Sequence, residues 1–568
     1  MSRLFAVAAL FALVIAAPQK TEKCRNIPGD HGWPSAEIWQ ELNATVSGRL
    51  IKTSPAAHVC HDPTYDAEAC QALNSTWIYP WGHFDDASGF MAAYQQNASC
   101  NPYTSKESPC SQGNYVEYAI EVRNTADVVA GVKFAQERNI RLVVKNTGHD
   151  YLGKSTGKGA LSLWMHKLKD VAFSNYTSDA YKGPAVKMGA GVQAFEAYAA
   201  AHEVGQSVVG GECITVGVAG GYTQGGGHSL LSGKYGMGAD QALKWEVVTA
   251  DGTLITATPT NHSDLYWALS GGGGGTYAVV LSLMARAYPE EIIGGVSFAL
   301  AAPSGTADDD ALWDAISFFY QQALPRIIDA GAHAQLIIVG PVFMLSEVTI
   351  PGATEDDMQA VMKPFTDYLD GQKFSFQMNV TSYPNFYEHA DHYIGPFPYG
   401  AAYSAQIQGG VFLSRGTSLS NSTGPELIAR LRHIATTTSF YILPYAFNGA
   451  IKDPSTPANS VHAGWRDMLS YVVVSQQWNY NVPFSIMDEQ ERLLTEEIMP
   501  PLQELGSGAY MSEADFKNPK WKEEFYGKNW DKLSAIKQEW DPKGLFYATT
   551  AVGSNLWEFD AEGRLCKV

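Results

Sequence analysis

The segment Lys145-Asn146-Thr147-Gly148-His149-Asp150-Tyr151-Leu152-Gly153-Lys154-Ser155 directly follows the apolar run Leu142-Val143-Val144. A glycine-flanked histidine therefore stands at the mouth of a strand. Such a strand, feeding a tight glycine loop, exposes successive backbone N–H groups, and these form a concavity that can hold a pyrophosphate. Upstream, Val116, Tyr118, Ile120 and Val122 alternate as in a strand, and Thr125-Ala126-Asp127 opens a helix. The unit reads strand, helix, strand, with His149 in the loop after the second strand. A second glycine-rich element follows, Gly210-Gly211-Glu212-Cys213-Ile214-Thr215-Val216-Gly217-Val218-Ala219-Gly220-Gly221-Tyr222-Thr223-Gln224-Gly225-Gly226-Gly227-His228.

The chain has 568 residues, so two domains, or one domain with a large insertion, are expected. Hydrophobic residues make up 45% and charged residues 17%, which gives ample material for a core and no compositional case for disorder. A formal charge of -19 opposes binding to nucleic acid or anionic membranes, since both need clustered Lys and Arg. Small, neutral partners suit it better.

Residues 1–17 read as a secretory signal peptide: Met1-Ser2-Arg3, then an apolar run from Leu4 to Ala17 that is too short to span a bilayer. The mature protein is expected to be soluble and secreted, with N-linked glycans on some of seven sequons that begin at Asn43, Asn74, Asn97, Asn175, Asn261, Asn379 and Asn421. Seven cysteines leave one unpaired, and Cys213 alone lies in the glycine-rich element. Short loops favour Cys60 with Cys70 and Cys100 with Cys110. Cys24 would then meet Cys566.

Farther along, Ala160–Met165 and Val186–Gly189 read as strands, Gln193–His202 as a helix, and Trp245–Ala257 as a hairpin turning at Asp251-Gly252. Ser270-Gly271-Gly272-Gly273-Gly274-Gly275 opens the strand Thr276-Tyr277-Ala278-Val279-Val280. Composition shifts after about Tyr288, and glycine-loop motifs return only after about Pro500, in Gly508-Ala509-Tyr510-Met511-Ser512-Glu513-Ala514-Asp515 and Asp541-Pro542-Lys543-Gly544-Leu545-Phe546-Tyr547. No metal-ligand spacing and no convincing Gly-X-Ser-X-Gly elbow stands out, so neither a metal site nor a hydrolase is expected.

Gly148-His149-Asp150-Tyr151, the run Gly210–His228 and the closing motif resemble the FAD-linked oxidoreductases of the vanillyl-alcohol-oxidase type, in their berberine-bridge-enzyme-like branch with its secreted fungal members. The resemblance implies an α+β fold: a two-subdomain FAD-binding domain (PCMH-type) with an inserted substrate domain of mixed sheet covered by helices. Its expected boundaries are 18–288 for the first FAD-binding part, 289–499 for the substrate domain and 500–568 for the C-terminal return to the FAD-binding domain. The matching positions imply FAD held covalently at His149 and Cys213. Cofactor contacts are expected from Asn146, Thr147, Gly148, Asp150, Ser155, Thr215, Val216, Gly217, Gly220, Gly221, Gly225, Gly227 and Val279.

Val216 falls where the family places a gate for dioxygen, and a small side chain there implies an oxidase. The sequence departs from the family at Ile214, where proline is common, and at Ser512, where the closing motif usually has asparagine. Oxidation of an alcohol or a carbohydrate hydroxyl needs a base, and Tyr510, Glu513 and Tyr445 are the candidates. Two rival readings stay open: a dehydrogenase with a non-oxygen acceptor, and a non-catalytic secreted binding protein on the same fold. Trp465 and Trp478 are read both as platforms for a sugar and as core residues.

Overall fold

The computed structural model describes residues 23–97, 99–400 and 404–568, and the expected signal segment lies outside them. The strand–helix–strand unit is present as Tyr118–Glu121, Thr125–Glu137 and Leu142–Lys145. The helix starts at Asn124, whose side chain accepts from the Asp127 N–H while the Asp127 carboxylate accepts from the Asn124 N–H, a reciprocal box that satisfies two otherwise orphaned donors. Tyr118–Glu121 and Leu142–Lys145 both pair in parallel with Leu161–Trp164, and Leu50–Lys52 adds an antiparallel edge. This four-stranded sheet buries Ile120, Leu142, Leu161 and Leu163 against Val128, Val132 and Ala135 of the helix.

A second, five-stranded antiparallel sheet has the order Val171–Thr177, Lys182–Gly189, Val279–Arg286, Ala242–Val248, Leu254–Ala257. Its last two strands form the hairpin expected around Asp251-Gly252. The C-terminal segment packs back on these sheets: Leu142 bridges Phe546, and the buried Lys537 ammonium donates to the carbonyls of Thr276 and Phe546 at 2.6 and 2.7 Å. Disulfides join Cys60 to Cys70, Cys100 to Cys110, and Cys24 to Cys566, which ties the described N-terminal end to the C-terminus.

A seven-stranded sheet draws all its strands from between Ile293 and Gln477. Every pairing in it is antiparallel, where a mixed sheet was expected. The difference has a physical use, because an antiparallel sheet can bury one face and leave the other polar. On the buried face Leu336, Ile338, Leu345, Ile442, Val472 and Val474 pack under helices that include Glu355–Gly371 and Thr423–Thr437. The opposite face looks toward the glycine loops. Among the described residues no helix is long and apolar enough to cross a membrane.

Candidate active site

Lys145 ends its strand fully buried, donating to the Asp86 carbonyl at 2.6 Å and lying over the Trp164 ring, and burial pulls its pKa down to about 7. Asn146 follows, with its Nδ2 donating to the Ala190 carbonyl. A Cβ on Gly217 or Gly220 would stand 2.8 or 2.9 Å from the Asn146 carboxamide, so glycine is what lets the second loop approach the first. Asn146 Oδ1 is buried with no partner. Asp150 shapes the rest of the loop, its carboxylate accepting from the N–H groups of Leu152, Lys154 and Ser155, each at 2.9 Å. Lys154 Nζ then reaches the Met511 carbonyl at 3.1 Å, joining this loop to the closing motif.

His149 and Cys213 meet. Cys213 Sγ lies 3.8 Å from His149 Nδ1, while His149 Nε2 is held by Thr215 Oγ1 at 2.6 Å. Burial, with a smaller effect from His83, lowers the His149 pKa to about 3, so its imidazole is neutral. Burial likewise raises the Cys213 thiol pKa, helped by the nearby Glu513 and Glu212 carboxylates. Cys213 is the free cysteine and is half-buried. Ile214, in place of the common proline, is buried, its carbonyl accepts from the Phe195 N–H at 2.9 Å, and the turn Cys213–Val216 is closed by a 2.9 Å hydrogen bond.

Both side chains border a cavity of about 480 Å³. Its wall also takes in Asn146, Thr147, Gly148, Asp150 and Ser155 from the first loop, and Val216, Gly217, Gly220 and Gly221 from the second. Other expected contacts sit elsewhere. Thr215 stands behind His149. Gly225 accommodates Ser512, whose Oγ would lie 2.8 Å from a Cβ there, and Gly227 has φ +72° against the Tyr222 ring. Val279 points into the core, and its neighbour Val280 faces the cavity instead, because adjacent strand residues face opposite ways.

The polar face of the seven-stranded sheet closes the cavity. Gln335, Ile337, Gln406, Gln408, Tyr441 and Leu443 face it at every second position. Tyr441 OH donates to Gln406 Oε1 at 2.7 Å, Gln406 Nε2 donates to Gln408 Oε1 at 3.0 Å, and Gln408 Nε2 is buried without a partner. None of these glutamines was legible as a site residue. The signal present was a pair of glutamines at alternate positions in an otherwise apolar strand. Trp465 and Trp478 are core residues, not sugar platforms: both are buried, Trp465 against Phe412, Phe447 and Tyr471.

All three base candidates reach the cavity wall. Glu513 is the most accessible, its side chain 25% exposed, and His228 Nε2 lies 3.2 Å from its Oε1. Tyr510 and Tyr445 are buried around the same imidazole, with ring centroids 5.8 and 4.7 Å from it. Burial opposes charge on His228, yet Glu513 and Glu212 outweigh it and push its pKa up to about 10. Behind His228 lie Glu212, His333 and Glu347, in that order, in a buried chain that the sequence analysis missed.

The FAD binding domain family matches residues 116–258, and the berberine and berberine-like family matches residues 509–553. The chain is 42% identical to the VAO-type flavoprotein oxidase VAO615 of Thermothelomyces thermophilus over 96% of its own length and 95% of that protein's. It belongs to the VAO-type FAD-linked oxidoreductases. The FAD-linked oxidoreductase ZEB1 of Gibberella zeae is 40% identical, covering 98% of this chain and 97% of that one. The crystal structure of the VAO-type flavoprotein MtVAO615 from Myceliophthora thermophila C1 superimposes with a TM-score of 0.92 at 41% identity, over 96% of this chain and 100% of that one. A glucooligosaccharide oxidase from Acremonium strictum shares the fold at 18% identity and a TM-score of 0.59, over 77% of this chain and 92% of that one. As a VAO-type enzyme the protein is an FAD-dependent oxidoreductase, and its glycine loops fit that cofactor. Gly221 has open space at its Cβ position, Gly274 comes so close that a Cβ would lie 3.1 Å from the Gly221 Cα, and Asn146 Oδ1 offers an unused acceptor.

Proposed function

We propose that the protein is a secreted, N-glycosylated, bicovalent FAD oxidase that acts on an alcohol or a carbohydrate hydroxyl and releases hydrogen peroxide. The observation that carries the covalent reading is the 3.8 Å approach of Cys213 Sγ to His149 Nδ1 on one cavity wall. Thr215 holds Nε2, which leaves Nδ1 as the nucleophilic nitrogen, and the Acremonium strictum neighbour is described as carrying a 6-S-cysteinyl, 8α-N1-histidyl FAD. When bound, FAD supplies the acceptor for a hydride from the carbon that bears the hydroxyl and passes the electrons on to dioxygen.

The chain's own residues would do the rest. His149 and Cys213 anchor the cofactor, and Asn146 with Gly217, Gly220, Gly221 and Gly274 forms the cradle. Glu513, open to the cavity and oriented by His228, receives the hydroxyl proton. Tyr510 is kept protonated there, burial and then Glu513 raising its pKa, and it and Tyr445 wall the cavity. Gln335, Gln406, Gln408 and Tyr441 present amide and hydroxyl groups that suit a neutral, polyhydroxylated or phenolic substrate. Val216, half-buried at the wall, leaves room for dioxygen.

Absorption spectra before and after acid precipitation, with peptide mapping of the pellet, test the reading. Yellow colour retained on both the His149 and Cys213 peptides, with peroxide release on a screen of alcohols and sugars, is expected. Dye reduction without peroxide would instead make the protein a dehydrogenase, and reduced flavin that never reoxidises in air would make it a binding protein.

A further inference from the structure

Glu212 sits just before the free cysteine, His228 closes the glycine run, and His333 begins the strand His333–Val339, sharing its face with Gln335 and Ile337. Glu212 and His228 are 16 residues apart in the second loop and His333 comes from the seven-stranded sheet, so no ligand spacing announces the group. Folding brings them into contact. Glu212 Oε1 lies 2.9 Å from His228 Nδ1 and 2.9 Å from His333 Nε2, and the three donor atoms lie within 4.8 Å of one another. All three residues are buried, His333 completely.

Two further observations separate this cluster from an ordinary hydrogen-bonded chain. First, the outward nitrogen of each imidazole is held by its own carboxylate: His333 Nδ1 by Glu347 Oε1 at 2.8 Å, and His228 Nε2 by Glu513 Oε1 at 3.2 Å. Thr349 Oγ1 fixes Glu347 in turn, donating to its Oε2 at 2.9 Å. A carboxylate behind each imidazole is what fixes the tautomer and aims the inner lone pair of a metal-binding histidine. Second, Glu212 Oε1 is shared by both imidazoles, and His333 Nε2, an ion-pair partner 2.9 Å from it, is poorly angled for a hydrogen bond. The contact is well directed at His228 Nδ1 and poorly directed at His333 Nε2.

We propose that Glu212, His228 and His333 form a binding site for a divalent transition cation of the zinc class. Two imidazoles and one carboxylate are a ligand set that zinc accepts, and tetrahedral bonds of about 2.0–2.1 Å place ligand atoms about 3.3 Å apart, so the cluster, with its two 2.9 Å contacts to Glu212 and all three atoms within 4.8 Å, closes on a cation with small side-chain shifts. The charges agree as well. Three carboxylates, Glu212, Glu347 and Glu513, surround the two histidines, and one divalent cation with two neutral imidazoles carries the same charge as two imidazolium ions. Glu212 and His228 also line the cavity, so a position left free by three protein ligands opens toward the substrate, where a hydroxyl or water oxygen would take it. The site stands on this geometry and not on the flavin reading.

The test uses the full, flavin-loaded protein incubated with zinc alone and then desalted. Elemental mass spectrometry should find about one zinc per chain in the parent, with most of it lost in His333→Gln and Glu212→Gln. Flavin-to-protein ratio and far-UV circular dichroism, unchanged in the variants, guard against loss of fold. Anomalous diffraction at the zinc edge of the parent should show its peak between the three side chains, and this decides the matter if the variants do not fold. Zinc retained no better than in a protein-free control, retained equally by His333→Gln, or located elsewhere overturns the proposal and leaves the cluster a protonated hydrogen-bond chain.

Discussion

Thr215→Val isolates the contact that sets up His149. Valine matches threonine in shape but lacks the hydroxyl, so the substitution removes the 2.6 Å partner of His149 Nε2 and changes little else in the buried loop. A buried polar atom left without its partner costs about 1–3 kcal/mol. In the neutral imidazole that cost falls on the tautomer with its proton on Nε2, the one that leaves the Nδ1 lone pair toward Cys213. If attachment proceeds through that tautomer, it should slow by about 5- to 150-fold, since each ~1.4 kcal/mol is tenfold in rate. The assay follows acid-stable flavin absorbance over time after FAD is added to protein produced without flavin, and mass spectrometry of the His149 peptide reports the linkage. Normal overall folding with slow attachment at His149 is expected. Attachment in Thr215→Val as fast as in the parent would show that the hydroxyl does not prepare the imidazole, and the reasoning from this hydrogen bond would fail.

Gly217→Ala places a Cβ 2.8 Å from the Asn146 carboxamide, so it should cost about 1–3 kcal/mol in denaturant unfolding and lower the flavin-to-protein ratio; unchanged values for both would mean that the loops can part freely. Glu513→Gln keeps the shape and a contact with His228 but cannot take a proton, so turnover should drop by about 10²–10⁴-fold with flavin content unchanged, and parental turnover would move the base elsewhere. His462 gives a pH signature for stability: burial lowers its pKa from 6.5 to about 4, and its Nδ1 accepts from the Gly464 N–H at 3.0 Å. Because the unfolded chain takes the proton first, stability is complete above pH 6.5 and falls as pH drops to about 4, by about 3 kcal/mol from this group. Unfolding midpoints across that window should be flatter in His462→Gln, and an identical slope would assign the acid loss to other groups.

The sequence by itself determined the strand–helix–strand unit, the loop that carries His149, the hairpin at Asp251-Gly252 and the odd cysteine at 213. These are local statements. Period-two alternation, a capping residue before a helix and glycine at a turn act between neighbours along the chain, so a reader of the chain can weigh them directly. The disulfides were legible for a related reason, since two of them close loops with a sequence separation of only 10 and the third follows by elimination.

What only the tertiary structure decided lies across the cavity. That Val280 faces it and Val279 does not depends on a strand's register, where a shift of one residue reverses the face. The carpet of Gln335, Gln406, Gln408 and Tyr441 exists because an antiparallel sheet turns one face to its helices and the other to the glycine loops. Glu212, His228 and His333 meet because that sheet docks on the second loop, and the contact joins residues whose sequence separation carries no pattern. Local propensity is written between adjacent residues, whereas a site assembled from two sheets and two loops is written in how those elements pack.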